Sequence, residues 1–337
     1  MRLAQVMAGA HHGGAELYFE RLCIALNRAG VSVLPVIRRD AERAGRLAAA
    51  GLAPVALRFG GPLDLITRPR LARALEAFAP SVAVSWMSRA TDHMPRGHFV
   101  HVARLGGPYP LRHYRHCDHL VGNTEGLVAW FRAHGWPESR THYLPNFTAD
   151  HAAVAPATDL PPRRPILLAL GRLHPDKGFD VLIEALARLP AATLLIGGVG
   201  PEEASLRKLA AALGAGGRVH FLGWRDDAPA LLRAADLFVC PSRREPLGNV
   251  VLEAWSAGCP VLASDAAGPS ELIIPGSDGL LVPREDSAAL AAAAAGLIAD
   301  PNRAAQLAAA GRARFLAAFA EAPVMARWLR FLESVRR

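Results

Sequence analysis

Residues 166–186, ILLALGRLHPDKGFDVLIEAL, contain a short apolar run, a polar loop with two glycines and the start of a longer segment. The run ILLAL has the length and composition of a buried β-strand. Apolar residues after Gly178 recur at the three- and four-residue spacing of an amphipathic helix. A buried strand that leads directly into a helix is half of a β-α-β unit, so this stretch predicts an α/β fold with a parallel sheet.

The same alternation of strand and helix continues on both sides of this stretch. On the C-terminal side, strands are predicted at 166–170, 193–197, 218–222, 236–240, 260–264 and 279–282, with helices beginning near Gly178, Glu202, Pro229, Asn249 and Ser287. On the N-terminal side, strands are predicted at 2–7, 31–37, 81–86, 98–103 and 119–123, with helices at 15–29, 69–79 and 124–134. The pattern therefore predicts two Rossmann-like domains.

The length of the chain also favours two domains. It has 337 residues, of which 51% are hydrophobic, and single cores rarely grow to that size. We predict a first domain over 1–150, a linker rich in proline, alanine and polar residues over 151–165, and a second domain over 166–320. Residues 321–337 carry an apolar stripe at helical spacing, which predicts an amphipathic helix docked on a neighbouring domain.

Composition restricts the partners and the compartment. The net charge of +8 favours anionic partners, but the basic residues are spread along the chain, which argues against nucleic acid. Cys23, Cys117, Cys240 and Cys259 form no C-x-x-C, as is typical of buried thiols in a reduced compartment. The N-terminus lacks a signal-peptide pattern, and no apolar stretch reaches the about 18 to 20 residues of a membrane span. We therefore expect a cytoplasmic protein that could touch an anionic membrane only peripherally.

Arg172 and Lys177 are the first candidates for binding a ligand. They lie in the loop between the strand at 166–170 and the helix that begins near Gly178. Two cations beside backbone N–H groups and the positive end of a helix suit a phosphate. The glycine spacing matches neither G-x-G-x-x-G nor the P-loop G-x-x-x-x-G-K-[ST]. The alternative is that both side chains are solvated loop charges.

Glu245 and Glu253 are separated by seven residues in the stretch EPLGNVVLE. Gly248 and Asn249 mark the start of a helix, so Glu245 falls in a loop and Glu253 in the first turns of that helix. Both lie near the carboxyl edge of the predicted sheet, where ligands of open α/β folds bind. Two carboxylates without histidine or further aspartate are a poor transition-metal site, whereas the vicinal hydroxyls of a sugar or ribose suit them.

Two other clusters could suggest a metal ion, and neither is favoured. Asp226 and Asp227 are adjacent and lie where a helix N-cap is expected, so we predict a capping role. The run RHYRHCDHLVGN at 112–123 spaces three histidines three residues apart beside a cysteine. Its intervening arginines oppose a cation, so a basic surface on the acceptor side is the better interpretation.

The order of these features resembles a known family. G-R-L is followed by K-G, G-x-G, F-L-G, P-S, E-x(7)-E, and then by AGCPVLASDAAGPSELI and DGLLV. Over residues 166–283 this order resembles the second domain of the group 1 (family 4) retaining glycosyltransferases of the GT-B fold. The first half is similar more loosely, through MAGAHHGGAELYFERL.

The resemblance implies two Rossmann-like domains that face each other across a cleft, with the helix of 321–337 packed on the first domain. It implies a nucleotide-diphosphate sugar as donor, a glycan or glycolipid of the cell surface as acceptor, such as lipopolysaccharide, and no cofactor or metal ion. Arg172 and Lys177 would bind the diphosphate, Glu245 the donor sugar and Glu253 the ribose. The other donor-binding positions that it implies are Gly13, Gly14, Gly171, Gly198, Leu222, Gly223, Pro246, Leu247, Gly248 and Asn249.

His101 is a further candidate for catalysis in the first domain. By resemblance, a histidine there would face the cleft near the reacting sugar, and the register of the strand decides whether His98 or His101 does so. The alternative is a packed, hydrogen-bonded histidine. The stretch HVARLGGPYPLRHYR at 101–115 could likewise meet the acceptor or be only a loop shaped by glycine and proline.

Two other functions remain open. A nucleotide-sugar epimerase or a phosphorylase-like enzyme could have the same architecture, and an epimerase would convert a nucleotide-sugar without an acceptor. A non-catalytic sugar-binding or nucleotide-binding protein is the second alternative. A protein that only binds its ligand does not need cations that stabilise a leaving group. The set of Arg172, Lys177, Glu245 and Glu253 therefore argues against this alternative.

Overall fold

The computed structural model describes residues 1–11, 13–61 and 63–336, and the chain divides into two compact units. Met1–Asn146 and Glu321–Arg337 form the first unit, and Phe147–Ala320 form the second. Each unit has its own parallel β-sheet, of seven strands in the first and six in the second. Every predicted strand, and every helix predicted within the two domains, is present with its bounds within two residues of the prediction.

The first unit alternates strands and helices along the chain. Its strand order is β3-β2-β1-β4-β5-β6-β7, and all of the pairings are parallel. The elements are β1 (Arg2–Met7), α1 (Gly14–Arg28), β2 (Ser32–Arg38), α2 (Ala41–Ala49), β3 (Val55–Leu57), α3 (Thr67–Phe78), β4 (Val82–Trp86), α4 (Met87–His93), β5 (Val100–Leu105), β6 (His119–Gly122), α5 (Glu125–Ala133) and β7 (Thr141–Tyr143).

The second unit follows the same plan, with the strand order β10-β9-β8-β11-β12-β13. Its elements are β8 (Ile166–Leu170), α6 (Phe179–Ala187), β9 (Thr193–Gly197), α7 (Glu203–Ala212), β10 (Val219–Gly223), α8 (Ala228–Ala234), β11 (Leu237–Cys240), α9 (Asn249–Ala257), β12 (Val261–Ser264), α10 (Ala267–Leu272), β13 (Leu280–Val282), α11 (Ser287–Ala299) and α12 (Pro301–Ala318).

The second sheet is buried on both faces, as its uninterrupted apolar strands require. Side chains alternate between the faces of a strand, so neighbours in β8 enter different cores. Leu167 packs in one hydrophobic cluster with Leu182 of α6, and Leu168 packs in another with Trp255 of α9. This alternation explains why a continuous apolar run forms a strand with a helix on each side.

The order of strands reverses at one strand in each sheet. In the first sheet β1 lies between β2 and β4, and in the second sheet β8 lies between β9 and β11. Loops that leave the carboxyl ends of such neighbouring strands diverge to opposite faces and leave a crevice in which ligands of open α/β folds bind. The loops after β8 and β11 therefore mark the expected binding crevice of the second unit.

Residues of the predicted linker pack against the second unit. The backbone N–H of Ala157 donates to the carbonyl of Ala230 at 3.0 Å, and the Arg164 guanidinium lies 2.5 Å from the Asp236 carboxylate. Ala157 also packs against the core that contains Trp255. The segment is thus held by the second unit although it has no regular secondary structure of its own.

The C-terminal helix, α13 (Glu321–Val335), belongs to the first unit. Its Trp328 is fully buried, and the indole N–H donates to the hydroxyl of Tyr18 in α1 at 3.2 Å. That hydroxyl in turn donates to the carbonyl of Pro145 at 3.1 Å. Among the described residues, no helix combines the length and apolar character that would be needed to cross a membrane.

Candidate active site

The loop after β8 runs from Gly171 to Gly178 and makes a short 3-10 turn over Pro175–Lys177 before α6 begins. Gly178 has φ +63°, and a Cβ at this position would lie 2.2 Å from the carbonyl oxygen of Pro241. Only glycine combines that backbone conformation with such a close approach of two chain segments. The K-G pair of the sequence therefore marks the point where the loop after β8 touches the loop after β11.

A second glycine loop, after β9, lies directly against the first. The N–H of Gly171 donates to the carbonyl of Gly197 at 2.9 Å, and the N–H of Gly198 donates to that of Gly223 at 2.7 Å. A Cβ at Gly198 would lie 1.9 Å from the carbonyl oxygen of Gly171. These contacts bring the predicted donor residues Gly171, Gly198 and Gly223 together at the carboxyl edge of the sheet. Leu222 precedes Gly223 and is half-buried.

Lys177 and Glu245 meet across the crevice. The ammonium nitrogen of Lys177 lies 2.5 Å from Oε2 of Glu245, and their side chains are 24% and 11% exposed. The other carboxylate oxygen of Glu245 accepts from the N–H of Gly248 at 3.3 Å. The largely desolvated pair thus places one cation and one anion where the loops after β8 and β11 converge, and attraction between charges is stronger there than in water.

Arg172 differs from Lys177 because its side chain is exposed and forms no ion pair with any residue in the described part of the chain. It lies in the same loop as Lys177, five residues earlier. A free guanidinium with its fork of donors is suited to a phosphate. The geometry therefore supports the phosphate site that the sequence predicts, with one cation paired and one available.

Glu253 lies on α9, whereas Glu245 lies in the loop that precedes that helix. Gly248 is the N-cap residue of α9 and Asn249 is its first residue; the Glu253 side chain is half-buried one turn further on. Leu247 is buried beneath this loop and Pro246 is exposed. The two carboxylates therefore lie on different elements and can contact different parts of one ligand.

Arg243 is a residue of this site that the sequence patterns do not single out. Its guanidinium contacts both carboxylate oxygens of Asp180 in α6, at 2.7 and 2.8 Å, and Glu285 at 2.9 Å. Hydrogen bonds and charge from Arg243 lower the pKa of Asp180 despite its partial burial. The pair holds the loop after β11 against α6, and no local pattern could reveal it because 63 residues separate its members.

Cys240, at the end of β11, does not add a nucleophile to the crevice. Burial, reinforced by the negative charge of Glu245, raises the pKa of the Cys240 thiol to about 11. Thiols react as thiolates, so this side chain stays protonated and unreactive at neutral pH. The chemistry of the crevice is therefore that of its cations and carboxylates.

The first unit places its own glycine loop after β1. Gly13 is the N-cap residue of α1 and Gly14 is the first residue of that helix. The buried Glu16 carboxylate accepts from the N–H of Ala10 at 2.8 Å and lies against Gly13. The nearly fully buried Arg43 donates to the carbonyl of Ala10 at 2.8 Å and to that of His11 at 2.9 Å. Side chains thus fix this loop from both ends.

Comparison with known proteins identifies the family. The sequence profile described as "Glycosyl transferases group 1" matches residues 152–314. The chain is 35% identical over 335 residues to the lipopolysaccharide core biosynthesis glycosyltransferase LpsE of Rhizobium meliloti (strain 1021), and the match covers 96% of each protein. The chain belongs to the group 1 glycosyltransferases.

Two further proteins resemble this glycosyltransferase over nearly its whole length. LpsD of Rhizobium meliloti (strain 1021), also named for lipopolysaccharide core biosynthesis, is 35% identical over 321 residues and 92% of each protein. The crystal structure of Anabaena HepE in complex with UDP-glucose has a TM-score of 0.84 at 22% identity and covers 99% of this chain and 100% of that one. The fold is therefore GT-B, and family membership gives no support to the epimerase alternative.

His101 lies near the amino end of β5 in this glycosyltransferase, because the strand extends from Val100 to Leu105 rather than from 98 to 103. It is 5% exposed, and its Nε2 lies 2.8 Å from the hydroxyl of Ser85. Burial, reinforced by the neighbouring His116, lowers the pKa of His101 to about 4. His98 is exposed and precedes the strand. The imidazole of His101 is therefore neutral and packed at the edge opposite the carboxyl ends of the strands.

The histidines of the run 112–123 contact different partners. His113 lies 2.8 Å from Asp92, and His119 lies 3.0 Å from His142. His116 approaches His101 and Cys117, with the three ligand atoms within 4.8 Å of one another. Burial raises the pKa of the Cys117 thiol, so it is protonated rather than a thiolate ligand. Of the three histidines, His116 is exposed, and His113 and His119 are partly buried.

The predicted capping role of Asp227 is only partly correct. Asp227 occupies the N-cap position of α8, but its side chain makes no capping hydrogen bond. Its carboxylate instead pairs with Arg225 at 2.5 Å, and Asp226 accepts from the indole N–H of Trp224 at 2.8 Å. Both carboxylates thus bond to neighbouring side chains, Trp224 and Arg225. The sequence pattern predicted a helix cap instead of these contacts.

Proposed function

We propose that this enzyme transfers a sugar, with retention of configuration and without a metal ion, from a nucleotide-diphosphate sugar to a glycan or glycolipid acceptor of lipopolysaccharide core synthesis. The observation that carries the proposal is the Lys177–Glu245 pair beside the exposed Arg172, in the crevice between β8 and β11. The names of LpsE and LpsD, which match the chain over more than nine tenths of its length, support the acceptor class.

The cations of the crevice act on the leaving group. Transfer breaks the bond between the anomeric carbon and the diphosphate oxygen and joins that carbon to the oxygen of an acceptor hydroxyl, whose proton passes to the departing diphosphate. Negative charge develops on the nucleotide diphosphate as it departs. In this proposal Arg172, Lys177 and the N-terminus of α6 stabilise that charge. Before donor arrives, Glu245 holds the Lys177 ammonium in position, which lowers the cost of reorganising it.

The carboxylates orient the donor. Glu245 accepts hydrogen bonds from hydroxyls of the sugar. Backbone groups of Pro246, Leu247 and Gly248 bond to the same hydroxyls, with carbonyls as acceptors and N–H groups of Leu247 and Gly248 as donors. Glu253 on α9 accepts from the ribose hydroxyls.

A metal ion is not needed for the charge on the diphosphate, because the crevice supplies two cations. The adjacent Asp226 and Asp227, which could otherwise suggest a metal site, are engaged by Trp224 and Arg225. The enzyme therefore uses fixed charges where a metal-dependent transferase would use an ion.

The acceptor binds to the first unit, close to the stretch 101–115. The buried side-chain oxygen of Asn123, directly after β6, has no hydrogen-bond partner within the described ranges. The amide nitrogen of the same side chain lies near Gly106. Such an oxygen is suited to a sugar hydroxyl as donor. By contrast, Arg104 of the same stretch is buried against Trp86 and does not contribute to an acceptor surface. We place the enzyme at the inner face of the membrane, where lipid-linked acceptors are found.

The test is a transfer assay with a panel of UDP-, GDP- and ADP-sugars and lipopolysaccharide core acceptor, in which release of nucleotide diphosphate and the anomeric configuration of the product are measured. We expect release that depends on acceptor, an α-linked product from an α-linked donor, and full activity in chelator. Conversion of a nucleotide-sugar without acceptor would indicate the epimerase. Tight donor binding without turnover would indicate a binding protein, and loss of activity in chelator that Mn²⁺ restores would contradict the metal-free mechanism.

A further inference from the structure

The loop between β3 and α3 exposes large apolar side chains. Leu63 is 94% exposed, Leu65 is 84% exposed and Ile66 is 42% exposed. Scattered apolar residues are common on protein surfaces, but three within four positions of one loop form a patch. Neither the donor site nor the core of the first unit uses these side chains.

The exposure of the leucines follows from how the loop is built. Asp64, between the two leucines, points inward: one oxygen accepts from the N–H of Gly60 at 2.6 Å and from the hydroxyl of Thr67 at 2.6 Å. The other oxygen accepts from the N–H groups of Ile66 and Thr67 at 3.1 and 3.0 Å. These bonds, first that from the Thr67 hydroxyl, hold the pKa of Asp64 well below its usual range. The loop is therefore fixed by its polar residue, and its apolar residues face outward.

Unpaired arginines lie in the same loop, in the helix α3 that follows it and at the end of the neighbouring strand β2. Arg38 ends β2 beside the end of β3, and Arg39 donates its N–H to the carbonyl of Leu57. Arg58 begins the loop, and Arg68, Arg70 and Arg73 lie in the first two turns of α3. All six are exposed, and none forms an ion pair with a residue that the structure describes. Asp64 is the only carboxylate in residues 58–73, and it faces inward.

We propose that residues 58–61 and 63–66 and the first two turns of α3 form a membrane-contact surface, which inserts Leu63, Leu65 and Ile66 among the headgroups of an anionic bilayer. Apolar side chains that enter the interface and arginines that meet anionic headgroups are the two components of peripheral membrane binding. The surface fits a bilayer better than a protein partner because its unpaired charges are all positive and its exposed apolar side chains lie together in one loop. The inference rests on the proposed function in one respect, that the acceptor is lipid-linked.

The test is co-sedimentation of the full-length enzyme with vesicles of phosphatidylcholine containing about one third phosphatidylglycerol, and with vesicles of phosphatidylcholine alone. We expect binding to the anionic vesicles that weakens with salt. Leu63→Ser with Leu65→Ser should reduce the partition coefficient about tenfold or more. The partition coefficient at low salt should fall about a hundredfold in the triple variant Arg68→Gln, Arg70→Gln and Arg73→Gln, because each arginine contributes its own attraction to the anionic headgroups.

Matched controls separate the patch from general effects. Leu213→Ser with Leu316→Ser removes two leucines that are 40% and 45% exposed in the second unit and should leave the partition unchanged. Arg96→Gln, Arg188→Gln and Lys208→Gln remove the same charge from other exposed positions and should have a much smaller effect. Thermal unfolding of each variant checks that the fold is intact.

The outcomes distinguish this inference from the proposed function, because vesicle binding requires neither donor nor acceptor. Binding that depends on the loop supports the inference even if no sugar transfer is found. Failure of the wild-type enzyme to bind anionic vesicles, or equal binding by the loop and control variants, would overturn it. If the patch instead covers a second copy of the chain, ultracentrifugation will show a dimer that the Leu63 and Leu65 substitutions dissociate, which also overturns it.

Discussion

The loops after β1 and β8 occupy equivalent places in the two sheets, at the strand where the order reverses, yet they are held in different ways. The loop after β8 is fixed by backbone contacts between glycines, such as Gly171 with Gly197 and Gly198 with Gly223. The loop after β1 is fixed by buried side chains, chiefly those of Glu16 and Arg43. The loop after β8 is thus held by close backbone contacts that only glycines allow, and the loop after β1 is held by hydrogen bonds from buried side chains.

This difference has a consequence for how each loop tolerates change. A loop packed backbone to backbone is sensitive to any added atom, while its cations remain free to act on a ligand. A loop held by a buried arginine depends on one residue whose partners become unsatisfied if it is removed. Removal of the buried side chains that hold the loop after β1 should therefore act mainly on stability, and removal of the cations in the loop after β8 mainly on turnover.

The largest effect is expected for Arg43→Ala. Arg43 is 1% exposed and bonds to Glu20 at 2.9 Å as well as to the carbonyls of the loop. Its loss leaves a buried carboxylate with Arg46 as its remaining partner, and breaking a buried pair costs about 3–5 kcal/mol. Urea unfolding should show this decrease, whereas Arg96→Ala, at an exposed position, should change the free energy of unfolding little. A stable Arg43→Ala protein would show that the loop does not depend on this side chain.

The next effect is expected for Lys177→Ala. Removing a preorganised charge contact to the transition state lowers kcat by about 10²-fold or more. Lys208→Ala provides the control, since Lys208 is the only other lysine in the sequence and is exposed on α7. Donor turnover and unfolding should be measured for both variants. If Lys177→Ala lost stability but kept its kcat, the pair with Glu245 would be structural rather than catalytic.

A smaller effect is expected for Gly178→Ala. The added methyl group would lie 2.2 Å from the Pro241 carbonyl, and a positive φ is unfavourable for alanine, so we expect a loss of about 2–4 kcal/mol in unfolding free energy. Gly45→Ala in α2 is the control, because a Cβ there meets nothing within 4 Å and alanine favours helix. Equal stability of the two variants would mean that the loops after β8 and β11 can separate without cost.

The sequence predicted the site of the second unit more fully than the loop after β1 because local patterns mark the former and long-range contacts build the latter. A strand, a K-G pair and a helix are local patterns, so the phosphate loop and the loop-and-helix placement of Glu245 and Glu253 could be inferred from neighbouring residues. The partners Arg243 with Asp180, and Arg43 with Ala10, are far apart in sequence, and no periodicity connects them. The short edge strands β3 and β7, of three residues each, were not predicted because so few residues carry no pattern.

The smallest effect is expected for His101, which lies near the amino end of β5 because the strand begins at Val100 rather than at residue 98. Its pKa is about 4 in the folded protein against 6.5 for the unperturbed group, so the unfolded chain binds a proton first as the pH falls. The neutral imidazole therefore stabilises the fold fully above pH 6.5, and this contribution decreases as the pH falls towards 4. Between pH 7.5 and pH 5 the loss should be about 2 kcal/mol of unfolding free energy. His101→Gln should flatten this part of the pH profile while kcat at pH 7.5 changes little; a large loss of kcat with an unchanged profile would instead place His101 at the reacting sugar.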